Sequence, residues 1–396
     1  MSIEYKLKNG RILYYSPLHC RFSLDVDFER DEVRYANTEL NYLRLEISHA
    51  CNGNCNYCIV FGNEIQDLSH INIQEFWNWL IVQDWYDKIT GIFVIGGEPL
   101  LFFDELLYLM NNFKGDIHFS TNGTLITREM AREFKKRDVL VYVSLDGLTR
   151  KENLNRVYAT GQSMFDDIFN GLNYLEEEKV RKGIFMVATH ENIENIVQTM
   201  IELSRRYNLL RIGYSLPHWT IHEKNVVTAE EYGNALCELY DNRDKIKADV
   251  MQIEWRLYPI LSGITKKFSC ALHTEQMTIL PDMSIVRCSK IDHDMELKRI
   301  TNLQLDEGCP VSNYRTENYK CKDCIAVGSC GGGCPYDGLK RFGSIIDQRE
   351  CEITPKIVEK AVNDILKAFN DSIELCNMGS GLVNPEAIKA ILIKRG

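Results

Sequence analysis

A chain of 396 residues is too long for one small core and suggests one large domain with an appendage. Its 45% apolar and 26% charged content is that of a soluble globular protein, and no apolar run nears the roughly 18 residues a membrane helix needs. The net charge of −10 argues against a general nucleic-acid surface, since phosphate binding is driven by clustered Lys and Arg.

In chain order, residues 1–42 read as an N-terminal extension with short strands, YKLKN and RILYYS, and no apolar signal-peptide segment. From residue 43 one form repeats: an apolar strand-like run, a short polar or glycine-rich motif, then a helical stretch. The strand candidates are 43–48, 91–96, 115–120, 139–144, 182–188 and 209–215. The clearest helix runs through Ile193, Ile196, Val197, Met200 and Ile201, the one-face spacing of an α-helix. Strands alternating with helices imply βαβ units and a parallel sheet. The expected fold is α/β, a partial (β/α)6 TIM-like barrel over 43–245. Residues 246–352 are then a bridging region with a second, cysteine-rich domain, and 353–396 a C-terminal helical segment. In a barrel the C-terminal strand ends carry the chemistry. Here those ends read HACNGNC, GGEPL, STNGT, SLDGL, THEN and LPHW.

Fourteen cysteines without a secretion signal point to metal rather than disulfides, and to the cytoplasm. Cys20, Cys237 and Cys376 stand apart and read as small hydrophobes. Cys51, Cys55 and Cys58 crowd into the eight residues CNGNCNYC. Closed zinc sites use four protein ligands and closed iron–sulfur clusters usually four thiolates, so three leave one iron of a four-iron cluster open.

The motif CxxxCxΦC, with Tyr57 as the aromatic, resembles that of the radical S-adenosylmethionine (SAM) enzymes. The resemblance implies that the open iron chelates the amino and carboxylate groups of SAM. One electron then cleaves SAM to a 5′-deoxyadenosyl radical that abstracts hydrogen from substrate. It further implies that Gly96, Gly97 and Glu98 meet the methionyl ammonium. Ser144 and Asp146 would lie near the SAM carboxylate and ribose, Arg156 would pair with that carboxylate, and Asn122 and the THEN run, Thr189 to Asn192, are weaker cofactor contacts. Many relatives carry His-Asp just before this arginine; here Glu152-Asn153 stands in that place.

The second cysteine set is Cys270, Cys288, then Cys321-x2-Cys324-x5-Cys330-x3-Cys334-Pro335, then Cys351. A zinc ribbon would want two CxxC knuckles, and only Cys321/Cys324 has that spacing. The pattern resembles the SPASM domain with its two auxiliary [4Fe–4S] clusters, for three clusters in all. Met283 departs from it, standing where the family usually has glycine. By analogy with two-cluster ferredoxin runs, Cys321, Cys324, Cys330 and Cys351 should hold one cluster and Cys270, Cys288 and Cys334 the other. The latter is one thiolate short: either Cys309 completes it, or the site is open to substrate, water or a non-cysteine ligand.

The resemblance implies a peptide or protein substrate and an electron donor such as flavodoxin or ferredoxin, with no nucleic-acid or membrane partner. The extension is too short for a leader-peptide-binding domain, which leaves room for a separate leader-binding protein. The leading expectation is a maturase of a ribosomally made peptide that forms an oxidative thioether or carbon–carbon crosslink. The alternative is an anaerobic sulfatase-maturating enzyme; against it, the residue after Cys288 is Ser289, with Asp292 and Asp294 only further on. An iron–sulfur electron-transfer protein is the reading from another class, and the intact loop with GGEP speaks against it.

Overall fold

The computed structural model describes residues 2–28, 32–35, 41–60, 69–221, 226–266, 269, 276–292 and 319–392. Six parallel strands form its centre: β4 (Tyr42–Glu46), β5 (Gly91–Ile95), β6 (Asp116–Thr121), β7 (Leu140–Ser144), β8 (Arg181–Val187) and β9 (Arg211–Ser215). They neighbour one another in chain order, as βαβ units with right-handed crossovers require. All six fall where the sequence placed them. The expected helix is present too, as a 3-10 turn Ile193–Asn195 running into Ile196–Arg206.

Side chains alternate along these strands. In β6, Ile117 and Phe119 are buried, and the Phe119 ring lies 4.9 Å from that of Phe134 on helix Arg128–Lys136. His118 points the other way, within 2.6 Å of the Tyr42 hydroxyl. One face of the sheet therefore packs on helices, and the other lines the barrel interior.

Three strands extend the expected six. β10 (Asp249–Val250) pairs in parallel with β9. At the opposite edge β11 (Gln276–Ile279) runs parallel to β4, and β12 (Ile285–Val286) turns back against it. The bridging region thus joins the barrel sheet beside the cysteine strand, and β12 ends two residues before Cys288. In the turn between them Met283 has φ +66°, the left-handed conformation that a glycine would favour. A non-glycine residue holds this conformation at a cost of roughly 1–2 kcal/mol.

A second sheet has the order β1 (Ile3–Lys6), β2 (Ile12–Ser16), β3 (Arg21–Leu24), β13 (Gly381–Leu382). Its last strand comes from the C-terminal segment, so the two ends of the chain meet. The long helix Glu350–Asp371 begins just before the expected boundary at 353. It buries Ile353, Ile357, Val358, Ala361, Val362, Ile365 and Phe369, an apolar stripe against helices Ala229–Asp241 and Met251–Ser262. Cys20 is fully buried in the same core, as its reading required. No helix among the described residues is long and apolar enough to cross a membrane.

Candidate functional site

The loop carrying Cys51, Cys55 and Cys58 leaves the end of β4 and lies along residues 155–159. Asn54 N–H donates to Val157 O (2.8 Å), Asn56 N–H to Asn155 O (3.1 Å), and Ala159 N–H to Asn52 O (3.1 Å). The Gly53 N–H points at Cys51 Sγ (3.3 Å), and all three thiols are half-buried and unbridged. Burial pushes the Cys51 thiol up to about 12 and raises Cys55 as well, with the neighbouring thiols adding to the rise at Cys51. Without a metal cation these two hold their protons, and ligation releases them.

The GGEP segment lies directly on the stem of this loop. Gly97 N–H donates to Ser48 O (2.7 Å) and Glu98 N–H to Ala50 O (2.8 Å). A Cβ on Gly96 would come within 2.2 Å of Ser48 O, and one on Gly97 within 2.1 Å of Ala50 O. The close approach that the glycines permit is thus already used within the chain. Glu98 is buried, and its carboxylate accepts from Leu100 N–H (3.0 Å), Thr121 Oγ1 (2.7 Å) and Asn122 N–H (2.7 Å). Burial outweighs these bonds and pushes it up to about 7. Two of its four lone-pair positions tie the end of β5 to the end of β6 and a third caps its own turn at Leu100, which leaves one for a ligand. Asn122 Nδ2 reaches Asn52 Oδ1 (2.7 Å) and lies 3.8 Å from Cys51 Sγ, placing it beside the first cysteine.

Asp146, fully buried past the end of β7, gathers a second group. The Arg156 guanidinium donates from Nη2 to Oδ1 (2.9 Å), and its Nε lies 2.9 Å from Oδ2 as an ion-pair contact without hydrogen-bond alignment. The Tyr57 hydroxyl donates to the same carboxylate, with the Arg156 guanidinium 5.5 Å from the tyrosine ring centre, and Val187 N–H adds a bond of 2.9 Å. Arg156 and Asp146, expected to serve SAM separately, are therefore partners that hold the cysteine loop through Tyr57. Asn192 joins them, donating to Asp146 O and accepting from Thr189 N–H. Asn153 explains the departure at Glu152-Asn153: fully buried, it accepts from Asp146 N–H (2.8 Å) and donates to Gly147 O and Thr149 O. A neutral amide can fill both roles, which a carboxylate cannot. Ser144 stands half-buried at the end of β7.

The model of the radical SAM superfamily matches residues 45–203, which contain all of these groups. An uncharacterized protein of Methanocaldococcus jannaschii is 30% identical over 209 residues, covering 50% of this chain and 71% of that protein. The chain belongs to the radical SAM superfamily. The radical SAM cyclopropyl synthase TigE of Paramaledivibacter caminithermalis is 20% identical over 85% of this chain and 77% of its own length. A serine-type anaerobic sulfatase-maturating enzyme of Klebsiella aerogenes is 22% identical over 73% and 78%. Among solved structures, anSMEcpe with bound AdoMet superposes with a TM-score of 0.65 at 20% identity over 89% of this chain and 98% of that one. Streptococcus suis SuiB bound to precursor peptide SuiA gives 0.59 at 18% over 79% and 76%. The cofactors of this radical SAM enzyme are SAM and a [4Fe–4S] cluster. Three half-buried thiols on one short loop, with a backbone N–H aimed at one sulfur, fit such a cluster.

Beyond the barrel, Cys321, Cys324, Cys330 and Cys351 line one small cavity. The first three come from the turns around helix Val327–Cys330, and Cys351 from the first turn of helix Glu350–Asp371. Arg256 fixes that turn from inside, its guanidinium buried against Glu350 Oε1 (2.6 Å) and its Nε 3.3 Å from Thr354 Oγ1. Of the other set, Cys270 and the alternative Cys309 lie outside the described residues. Cys288 and Cys334 both pack on buried Tyr336, together with Ile59 and Trp219. Ile59 follows Cys58 directly, so this pair stands beside the radical SAM loop. His218 and Trp219, from the LPHW motif after β9, reach the same place. Glu46, buried at the end of β4, is held by His49 (3.1 Å) and Ser289; burial would raise its carboxyl, and these bonds hold it below the usual range instead. Neither His218 nor Glu46 was singled out from sequence. The position of each at a strand's C-terminal end was the available signal.

Proposed function

We propose that this enzyme is a SPASM-type peptide maturase that forms an oxidative intramolecular crosslink in a ribosomally made peptide. The observation that carries the reading is the convergence of Cys321, Cys324, Cys330 and Cys351 on one cavity, with Cys288 and Cys334 beside the cysteine loop of the barrel. Ten cysteines would then hold three [4Fe–4S] clusters: Cys51, Cys55 and Cys58; Cys321, Cys324, Cys330 and Cys351; Cys270, Cys288 and Cys334. SAM reductively cleaved at the first supplies a carbon radical that abstracts a hydrogen atom, and the other two supply capacity to accept an electron.

The chain's own residues divide the binding work. The Glu98 lone pair left over from its three donors, with the backbone of Gly96 and Gly97, takes the methionyl ammonium. Arg156, held by Asp146, offers its remaining N–H groups to the SAM carboxylate, with Ser144, Asn122 and Thr189 at the rim. The substrate radical formed on hydrogen loss must shed one electron and one proton to become a closed-shell crosslink. The bond therefore forms with loss of one pair of hydrogens and one SAM per bond. A separate electron donor such as flavodoxin or ferredoxin, and a leader-binding protein, complete the proposed system in the cytoplasm.

A second reading, anaerobic sulfatase maturation, is favoured by the relative from Klebsiella aerogenes and by one contact. Although the residue after Cys288 is Ser289, that serine bonds the Glu46 carboxylate, so an acid does stand there. High-resolution mass spectrometry of a candidate precursor peptide, co-expressed with the enzyme, separates the readings. A loss of two hydrogens matched by one 5′-deoxyadenosine supports the crosslink. A Cys or Ser converted to an aldehyde supports the sulfatase reading, and an unchanged mass with inverted stereochemistry indicates an epimerase.

A further inference from the structure

The lumen face of the barrel sheet carries a positive charge that no carboxylate of the described chain pairs. On β4, Leu43 and Leu45 are fully buried on the helix side, so Arg44 between them faces the lumen. Its guanidinium lies 5.7 Å from the centre of the Phe93 ring on β5, and that ring meets Tyr142 of β7 edge-on at 6.0 Å. Among the described residues the guanidinium makes no hydrogen bond or ion pair, and its Nε is buried without a partner. The carboxylate on the same face of the strand, Glu46, is spent elsewhere. His49 (3.1 Å) and Ser289 hold it, and Arg44 adds only a lesser electrostatic contribution.

The sixth strand of the arc brings a second unsatisfied group to the lumen. In β9, Ile212 and Tyr214 face the helices, with the Tyr214 ring 4.8 Å from that of Tyr232, so Gly213 between them faces inward. The Gln252 amide, from the start of helix Met251–Ser262, fills the space of the absent side chain: a Cβ on Gly213 would lie 2.6 Å from Oε1. Gln252 is 8% exposed, and this buried Oε1 has no hydrogen-bond partner.

A guanidinium stays charged at any working pH, and withdrawing its N–H from water without an acceptor is unfavourable. What offsets that cost is an anion, and a carboxylate fits best because its two oxygens match the guanidinium fork. We propose that Arg44 is a specificity residue of the substrate site, receiving a carboxylate of the peptide in the barrel lumen. The acid is an Asp or Glu side chain or the peptide's C-terminus, and the Gln252 amide is a second polar contact from the β9 side. This rests on the peptide-substrate reading above and narrows it to a peptide that presents an acid to the barrel.

The test uses the anaerobically reconstituted enzyme with SAM and no reductant, so that binding is read without turnover. Three blocked amino acids serve as probes in saturation-transfer NMR. N-acetyl-glutamate methylamide has a side-chain acid, N-acetyl-alanine a C-terminal acid, and N-acetyl-glutamine methylamide neither. One of the first two should bind about tenfold more tightly than the third, and which one does so identifies the source of the carboxylate. Arg44→Gln should abolish that preference and leave the affinity for SAM unchanged. Arg44→Met should unfold at the same denaturant concentration as the parent or a higher one, because the guanidinium has no acceptor in the chain to lose. Equal binding of the three probes, binding of none, or a preference that survives Arg44→Gln overturns the assignment. A marked loss of stability in Arg44→Met overturns it by making the residue structural, and a comparable loss of SAM affinity in Arg44→Gln by making the cofactor its partner. The mass of a peptide product tests the maturase reading separately: a carboxylate preference without any crosslink sinks that reading and leaves this site standing.

Discussion

The loop of Cys51, Cys55 and Cys58 and the cavity of Cys321, Cys324, Cys330 and Cys351 solve opposite problems with the same side chain. The first draws three thiols from eight consecutive residues, so its geometry is set by a backbone turn and by the strand-like segment 155–159 alongside. The second draws its fourth thiol from a different helix, which buried Arg256 holds in place through Glu350. On the cluster assignment proposed above, three local ligands would leave a coordination position for a reactant, and four ligands collected by packing would leave none. The collected site is only as sound as the helices that present it.

The largest expected effect separates the sites directly. Replacing Cys51, Cys55 and Cys58 together by alanine should remove about a third of roughly twelve irons and abolish release of 5′-deoxyadenosine under reducing conditions. Cys324→Ala should stop product formation while leaving some uncoupled SAM cleavage. Deoxyadenosine release from the triple variant would sink the division of labour, and so would its complete loss in a folded Cys324→Ala protein.

A smaller effect tests whether the second site depends on packing. Arg256→Ala leaves the Glu350 carboxylate buried without its partner, which should cost about 3–5 kcal/mol in denaturant unfolding. Iron should fall by about four per chain, from the site containing Cys351, with SAM cleavage at the barrel loop retained. Equal losses from both sites would mean that they share one support.

The smallest expected effect concerns Glu98 beside the barrel loop. Its carboxyl rises from an ordinary 4.5 to about 7 in the folded chain, with burial as the leading cause. A group raised in this way contributes stability that is full below pH 4.5 and is lost as pH rises through 7. Glu98→Gln keeps two acceptor bonds, to Leu100 and Thr121, and faces Asn122 N–H with an amide, so it should be the less stable protein at pH 5. The gap should narrow by about 1–3 kcal/mol by pH 8, read from unfolding curves at the two values. A gap independent of pH would mean that Glu98 does not titrate in this range.

Much of the barrel site was legible because its parts are short-range. Alternating apolar runs gave the six strands, and Cys51, Cys55, Cys58 and GGEP announce themselves by spacing alone. Their partnerships were less legible. Arg156 was expected to reach SAM, and its pairing with buried Asp146 was not legible in the sequence, since the two meet only when the loop after β7 folds back. Asn153 looked like a loss against the family pattern until its amide was seen to close the turn after β7.

By itself, the sequence determined where thiols could gather and which strands would be parallel, because spacing and apolar period are properties of neighbouring residues. Only the tertiary structure decided that Gly381–Leu382 completes the N-terminal sheet and that buried Arg256 holds the turn carrying Cys351 through Glu350. It alone brought His218 from the end of β9 to Cys334, 116 residues away. Those contacts form when apolar helix faces such as Ile353, Ile357 and Val358 are withdrawn from water, a force proportional to buried area and blind to distance along the chain.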